Sequence, residues 1–217
     1  EIMPSLVGSE MCIRDRWKAL PNWMAEGENI LCMSDVSSSM SWVNFGSITA
    51  LDIGVSLALY VAERNTGCFK NELMVYSTNP HFIELSGDLR NRHRQVMRHV
   101  EYGSTNLQAA FDRILETGKR NNLTQKDMPS KLIIFSDMEF NQVDGANGST
   151  NFEAIQSKYK KAGYEMPQLV FWYLANRNGT CEVSVKDNGV AMVSGFSPAT
   201  LKALLAVSYT HLTLPTK

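Results

Sequence analysis

The run from Lys131 to Ser136 is the feature of this sequence that most restricts its fold. Its central residues, Leu-Ile-Ile-Phe, are apolar at consecutive positions, and Asp137 follows directly. A strand with one face in water alternates apolar and polar side chains, so a continuous apolar run indicates a strand buried on both faces. Such strands belong to parallel sheets that helices cover on both sides.

Other segments of the chain extend this pattern. Further strands are predicted at 29–34, 72–77, 81–85, 167–174 and 190–193. Apolar residues recur at helical spacing in the intervening segments, at 48–64, 88–100, 107–119, 151–161 and 199–206. The alternation predicts a Rossmann-like, doubly wound α/β fold, with a mostly parallel sheet and helices on both faces.

The two ends of the chain differ from the rest. Residues 1–16 and 207–217 resemble translated sequencing-adapter text, and we expect them to be artefactual or disordered tails. Residues 17–206 suit one domain, because a chain of this size buries roughly two-thirds to three-quarters of its unfolded surface. We expect this domain to be a fragment of a longer protein.

Charge and cysteine content narrow the class of protein. The chain has 21 basic and 22 acidic residues and a net charge of -1, which gives no electrostatic reason to expect direct binding to nucleic acid or an anionic membrane. No apolar run reaches the ~18 residues of a membrane span. The four cysteines form no Cys-x-x-Cys motif, and reduced thiols are typical of the cytoplasm. We expect a cytoplasmic protein and leave its oligomeric state open.

Polar side chains follow two of the predicted strands. The segment from Asp35 to Ser39 reads Asp-Val-Ser-Ser-Ser, and Asp137 follows the strand at 131–136. Thr105 lies in a Gly-Ser-Thr-Asn loop that opens a predicted helix. The Asp-x-Ser-x-Ser pattern alone is weak, because these residues commonly form turns and helix caps. Ligands bind at the carboxyl ends of the strands in such sheets, so the three loops together predict one shared site.

This set resembles the metal-ion-dependent adhesion site (MIDAS) of von Willebrand factor A (vWA) domains. The resemblance implies a divalent-cation site with five ligand residues, Asp35, Ser37, Ser39, Thr105 and Asp137. All five are oxygen donors, which suit Mg²⁺ or Mn²⁺ and exclude a zinc site built on sulfur or imidazole. An open coordination position on the cation would attract a carboxylate from a partner protein.

A second resemblance covers about 17–206. Segments 136–140, 163–172 and 189–197 are similar to an uncharacterised family whose C-terminal half is a vWA-like module. Members of that family usually have glycine where Ser38 stands. If this position requires a positive φ, serine would cost on the order of 1 kcal/mol there.

Three functional interpretations follow from these residues. The first is a metal-dependent protein-interaction module that is not an enzyme. The second is a metal-dependent hydrolase or phosphotransferase that uses Asp35 and Asp137. The third is a structural domain with an empty site. The first interpretation is favoured because the sequence offers hydroxyl ligands but no convincing nucleophile or base.

The remaining polar candidates have simpler interpretations. We expect Glu139 to face solvent or to contact a metal ligand without binding the cation itself. His81, His93 and His99 have no metal-ligand spacing with each other or with cysteine, and we expect them at the surface.

Overall fold

The computed structural model describes residues 6–76, 79–100, 106–137, 148–174, 183–186, 190–195 and 198–206. The strands within these ranges are β1 (Ile30–Asp35), β2 (Asn44–Phe45), β3 (Ile48–Thr49), β4 (Glu72–Tyr76), β5 (His81–Glu84), β6 (Lys131–Ser136), β7 (Gln168–Tyr173), β8 (Val183–Lys186) and β9 (Val190–Ser194). The α-helices are α1 (Leu6–Ala19), α2 (Ser39–Trp42), α3 (Ala50–Arg64), α4 (Leu89–Met97), α5 (Leu107–Arg120), α6 (Gly148–Lys161) and α7 (Pro198–Ala206).

Seven of the strands form one sheet in the order β5-β4-β1-β6-β7-β9-β8. The five central strands run parallel to one another, and the edge strands β5 and β8 are antiparallel to their neighbours. The expected mostly parallel sheet is therefore confirmed. Strands β2 and β3 pair separately as a short hairpin.

Helices cover both faces of this sheet, as the apolar runs predict. Alternate residues of β6 face opposite ways: Ile133 and Phe135 join the core beneath α3, α4 and α7, whereas Leu132 and Ile134 join the core beneath α5 and α6. All four side chains are fully buried. The expected doubly wound α/β fold is confirmed.

Several short elements were not predicted from the sequence. Strand β8 has four residues, β2 and β3 have two each, and α2 is a single helical turn in a segment that we expected to be a loop. Met40 anchors α2 because its side chain is fully buried in the core that also contains residues of α3 and β6. None of these pieces is long enough to show a hydrophobic period.

The N-terminal segment packs against α3. The indole nitrogen of Trp17 donates a hydrogen bond of 2.7 Å to Glu63, and the guanidinium of Arg64 lies over the rings of Trp17 and Tyr60. Helix α1 begins at Leu6, inside the segment that we expect to be a tail. The domain limits at 17 and 206 stay a prediction.

Candidate metal site at the carboxyl edge of the sheet

Asp35 lies at the centre of the candidate site. It is the last residue of β1, and its side chain is 1% exposed. Its Oδ1 accepts a hydrogen bond of 2.9 Å from the backbone N–H of Ser37, and its Oδ2 accepts one of 2.8 Å from the hydroxyl of Ser136. The carboxylate is therefore held in one orientation by the following loop and by the neighbouring strand.

Ser136 was not among the candidates chosen from the sequence. Ser34 pairs with Phe135 in the parallel register of β1 and β6, so one step further along both strands brings Asp35 beside Ser136. The repeated dipeptide Ser34-Asp35 and Ser136-Asp137 was the available signal. Its meaning depends on the register of two strands that are distant in sequence.

Ser37 and Ser39 present their hydroxyls side by side. Their Oγ atoms are 3.0 Å apart, and both residues are half-buried. Ser39 begins the single turn α2, whose first bond runs from the Met40 N–H to the Ser37 carbonyl at 3.2 Å. This turn folds the loop back so that alternate serines face the same way.

Ser38 fits this turn without backbone strain. Its φ is −63° and its ψ is −25°, which lie in the right-handed helical region. The cost expected for a positive φ at this position does not arise, because the turn does not require glycine.

Asp137 brings a second carboxylate to the same edge. It follows β6 directly and is 6% exposed. Burial raises the pKa of the Asp35 carboxyl above its ordinary range, and the charge of Asp137 adds to that rise. Hydrogen bonds from Ser37 and Ser136 act in the opposite direction but do not cancel it. The two carboxylates are close enough to repel each other.

Four of the five residues expected to bind metal therefore meet at the edge formed by β1 and β6. Thr105 lies outside the described residues, as does Glu139. The donors present are two carboxylates and two hydroxyls, a set that fits a hard cation better than a borderline one. Within the described ranges, no group of three or more His, Cys, Asp or Glu side chains is arranged to hold a metal.

The structure also locates the other candidates. His81 and His99, which we expected at the surface, are half-buried and in contact, with Nε2 of His81 3.0 Å from Nδ1 of His99. No helix in the described part of the chain is long and apolar enough to cross a membrane.

The fold and this edge define an α/β domain with two buried carboxylates beside a pair of hydroxyls. Residues 29–212 match the family described as "Domain of unknown function (DUF7788)". The match covers most of the sequence, so the chain belongs to that family.

The chain spans only about a third to a half of the length of the following proteins that it matches. It is 29% identical over 201 residues to "Uncharacterized protein L728" of Acanthamoeba polyphaga mimivirus, covering 90% of this chain and 34% of that protein. The RO (RSR) protein of Deinococcus radiodurans aligns with a TM-score of 0.53 at 17% identity, covering 88% of this chain and 36% of that one. Proximal thread matrix protein 1 from the mussel byssus aligns with a TM-score of 0.45 at 15% identity over 83% of this chain and 46% of that one. The likeness to the RO protein concerns the fold alone.

Proposed function

We propose that this domain is a protein-interaction module that depends on a divalent cation, Mg²⁺ or Mn²⁺. The cation would be held at a MIDAS-type site, and a carboxylate of a partner protein would complete its coordination. The proposed ligand residues are Asp35, Ser37, Ser39, Thr105 and Asp137. The observation that carries the proposal is the close approach of two buried carboxylates beside two hydroxyls at the edge of the sheet where ligands bind.

The electrostatics of the edge favour a cation. A buried carboxylate costs free energy unless it is compensated, and a second one nearby adds repulsion. Asp35 and Asp137 are both almost fully buried, and the charge of Asp137 raises the pKa of Asp35. A divalent cation between them would remove that repulsion.

The same donors explain why a partner carboxylate would bind. Ser37 and Ser39 are neutral, so they coordinate a cation without reducing its charge. Both carboxylate oxygens of Asp35 already accept hydrogen bonds from the protein, which suits contact with the cation through water. A cation held in this way keeps an open position and is only partly compensated by its direct ligands, and both features would attract an acidic side chain. We also propose a cytoplasmic location, because Cys32 and Cys68 are both free and reduced thiols are typical of the cytoplasm.

Cation binding can be tested by thermal unfolding with increasing Mg²⁺ or Mn²⁺. Ligands that bind only the folded state raise Tm as their concentration rises. We expect this rise in the unchanged protein and its loss in Asp35→Ala. Asp112→Ala is the matched control, because Asp112 is a carboxylate that pairs with Lys158 away from the site. Equal shifts in all three proteins would contradict a site at Asp35.

The interaction itself needs a second experiment. Partners captured from cytoplasmic extract should be released by a chelator, restored by Mg²⁺, and absent with Ser39→Ala. A captured protein should lose binding when one of its acidic residues is replaced by the amide. Metal-dependent hydrolysis of phosphate esters that is lost in Asp137→Ala would instead support the hydrolase interpretation and overturn this proposal.

A further inference from the structure

We infer that His81 and His99 form a second, separate metal site, selective for a borderline divalent cation such as Zn²⁺. The inference does not depend on the proposed magnesium site, because it uses different residues and different donor atoms. His81 is the first residue of β5, and His99 lies in the turn after α4. β5 runs antiparallel to β4 with His81 opposite Val75, and the imidazole of His99 lies against that of His81.

The spacing of the two nitrogens matches the requirement of one metal ion. Nε2 of His81 lies 3.0 Å from Nδ1 of His99. A zinc–nitrogen bond of about 2.0–2.1 Å places two ligating nitrogens about 2.9 Å apart at a right angle and about 3.3 Å apart at the tetrahedral angle. The observed separation falls between these values, so binding requires only a small movement of the rings.

The tautomer of His81 is already the one that a metal needs. Its Nδ1 lies 3.0 Å from the backbone carbonyl oxygen of Asn79. A carbonyl oxygen can only accept, so this Nδ1 carries the proton and, in the neutral ring, Nε2 presents a lone pair towards His99. Metal-binding histidines typically donate their second ring N–H to a carbonyl or carboxylate in this way.

The metal-free pair is held by a hydrogen bond that a cation can replace. In that state, Nδ1–H of His99 donates to Nε2 of His81. On metal binding the His99 proton moves from Nδ1 to Nε2, and both lone pairs then face the same point. The rings are half-buried and inclined at 56° with centroids 4.8 Å apart, so they are not stacked face to face and can both turn their edges to one ion.

Imidazole donors set the selectivity of this pair. Two neutral nitrogens suit Zn²⁺, Cu²⁺ or Ni²⁺ and are poor ligands for Mg²⁺. No third His, Cys, Asp or Glu completes the set within the ranges that the structure describes. Two protein ligands are fewer than the four of a structural zinc site, so we expect exchangeable binding that is weaker than at such a site.

Zinc titration calorimetry on the full chain tests the inference. We expect one equivalent of Zn²⁺ to bind, and His81→Gln or His99→Gln to weaken binding by about tenfold or more. The chain's other histidines and the exposed thiol of Cys68 supply matched controls, so His93→Gln, His211→Gln and Cys68→Ser should retain the site. Asp35→Asn should also retain it, and excess Mg²⁺ should not compete, which separates this result from the fate of the magnesium site.

A measurement on the unchanged protein guards against variants that fail to fold. Zn²⁺ should shift the ring-nitrogen NMR signals of His81 and His99 together and leave those of His93 in place. Bound Cu²⁺ should show an electron paramagnetic resonance spectrum with two coordinated nitrogens. Zinc binding that is unchanged in the His81→Gln, His99→Gln double variant, or ring signals that do not respond, would overturn the inference.

Discussion

The hydroxyl of Ser136 donates a hydrogen bond of 2.8 Å to Oδ2 of Asp35, joining the ends of two adjacent parallel strands. The bond is buried, and it fixes the carboxylate that lies at the centre of the candidate metal site. Ser136 therefore positions Asp35 without needing to touch a cation itself. Groups that hydrogen-bond to a metal ligand commonly affect metal affinity almost as strongly as the ligands do.

Replacing Ser136 by alanine tests this positioning role. We expect Ser136→Ala to lower Mg²⁺ affinity about 10–100-fold. We also expect a loss of about 1–3 kcal/mol in the free energy of unfolding, because one buried carboxylate oxygen loses its donor. Ser130→Ala is the control, since Ser130 precedes the same strand and donates to the Asn29 carbonyl at the opposite end. Calorimetric titration and urea unfolding give the two quantities, and equal affinities for both variants would argue against the role.

Asp35→Asn separates the effect of the buried charge on stability from its role in binding a cation. The amide has the same shape, its oxygen can accept from the Ser37 N–H, and its NH₂ can donate to the Ser136 hydroxyl. Because the charge is buried, we expect the metal-free variant to be more stable than the parent by about 1 kcal/mol or more. Its Tm should no longer respond to Mg²⁺. If the Tm of the metal-free variant is lower than that of the metal-free parent, the charge is already compensated within the protein.

The fold could be predicted from the sequence because its main helices and strands are long enough to show a hydrophobic pattern. The runs around Lys131–Ser136 and Gln168–Tyr173 are continuous, apolar and bounded by polar residues, and both became central strands. Strand β8 was missed because it has only four residues at the edge of the sheet, Val-Ser-Val-Lys, where apolar content is low. Short edge strands depend on their neighbours more than on their own sequence.

The candidate site could be predicted only in part, because some of its contacts depend on tertiary structure. Asp35 and Asp137 could be found because each ends a strand, and strand ends share an edge. The contacts Ser136–Asp35 and His81–His99 depend on strand register and on the antiparallel return of β5, neither of which leaves a local pattern. The helical conformation of Ser38 was likewise set by the turn α2 and not by residue type.

The stability of the domain should fall at acid pH partly through Asp52. Partial burial acts to raise the pKa of this carboxyl, but hydrogen bonds from Thr49 and the nearby His93 outweigh it, so the pKa lies below its ordinary 3.8. A depressed pKa stabilises the folded state above the unfolded value, and this contribution is lost as pH falls through the folded value.

Asp52→Asn should reveal this contribution in urea unfolding at several pH values. At pH 7 we expect the variant to be less stable by up to about 1 kcal/mol, since the pair is partly exposed and screened. The difference should shrink below the ordinary pKa of the carboxyl and vanish in stronger acid, where the parent is also protonated. A difference that stays constant with pH would assign the effect to the helix cap alone.

Gly54 tests how closely α3 approaches the sheet. A Cβ built at this position would lie 3.0 Å from Cδ1 of Leu174 and 3.3 Å from Cβ of Phe135, and both neighbours are fully buried. Alanine would gain about 1 kcal/mol in helix propensity, but overpacking of this kind costs about 1–3 kcal/mol. Because the Phe135 Cβ belongs to the central strand and cannot move alone, we expect Gly54→Ala to lower Tm. Ser56→Ala, on the exposed face of the same helix, should raise it slightly, and a rise in both variants would mean that the helix can move away from the sheet at little cost.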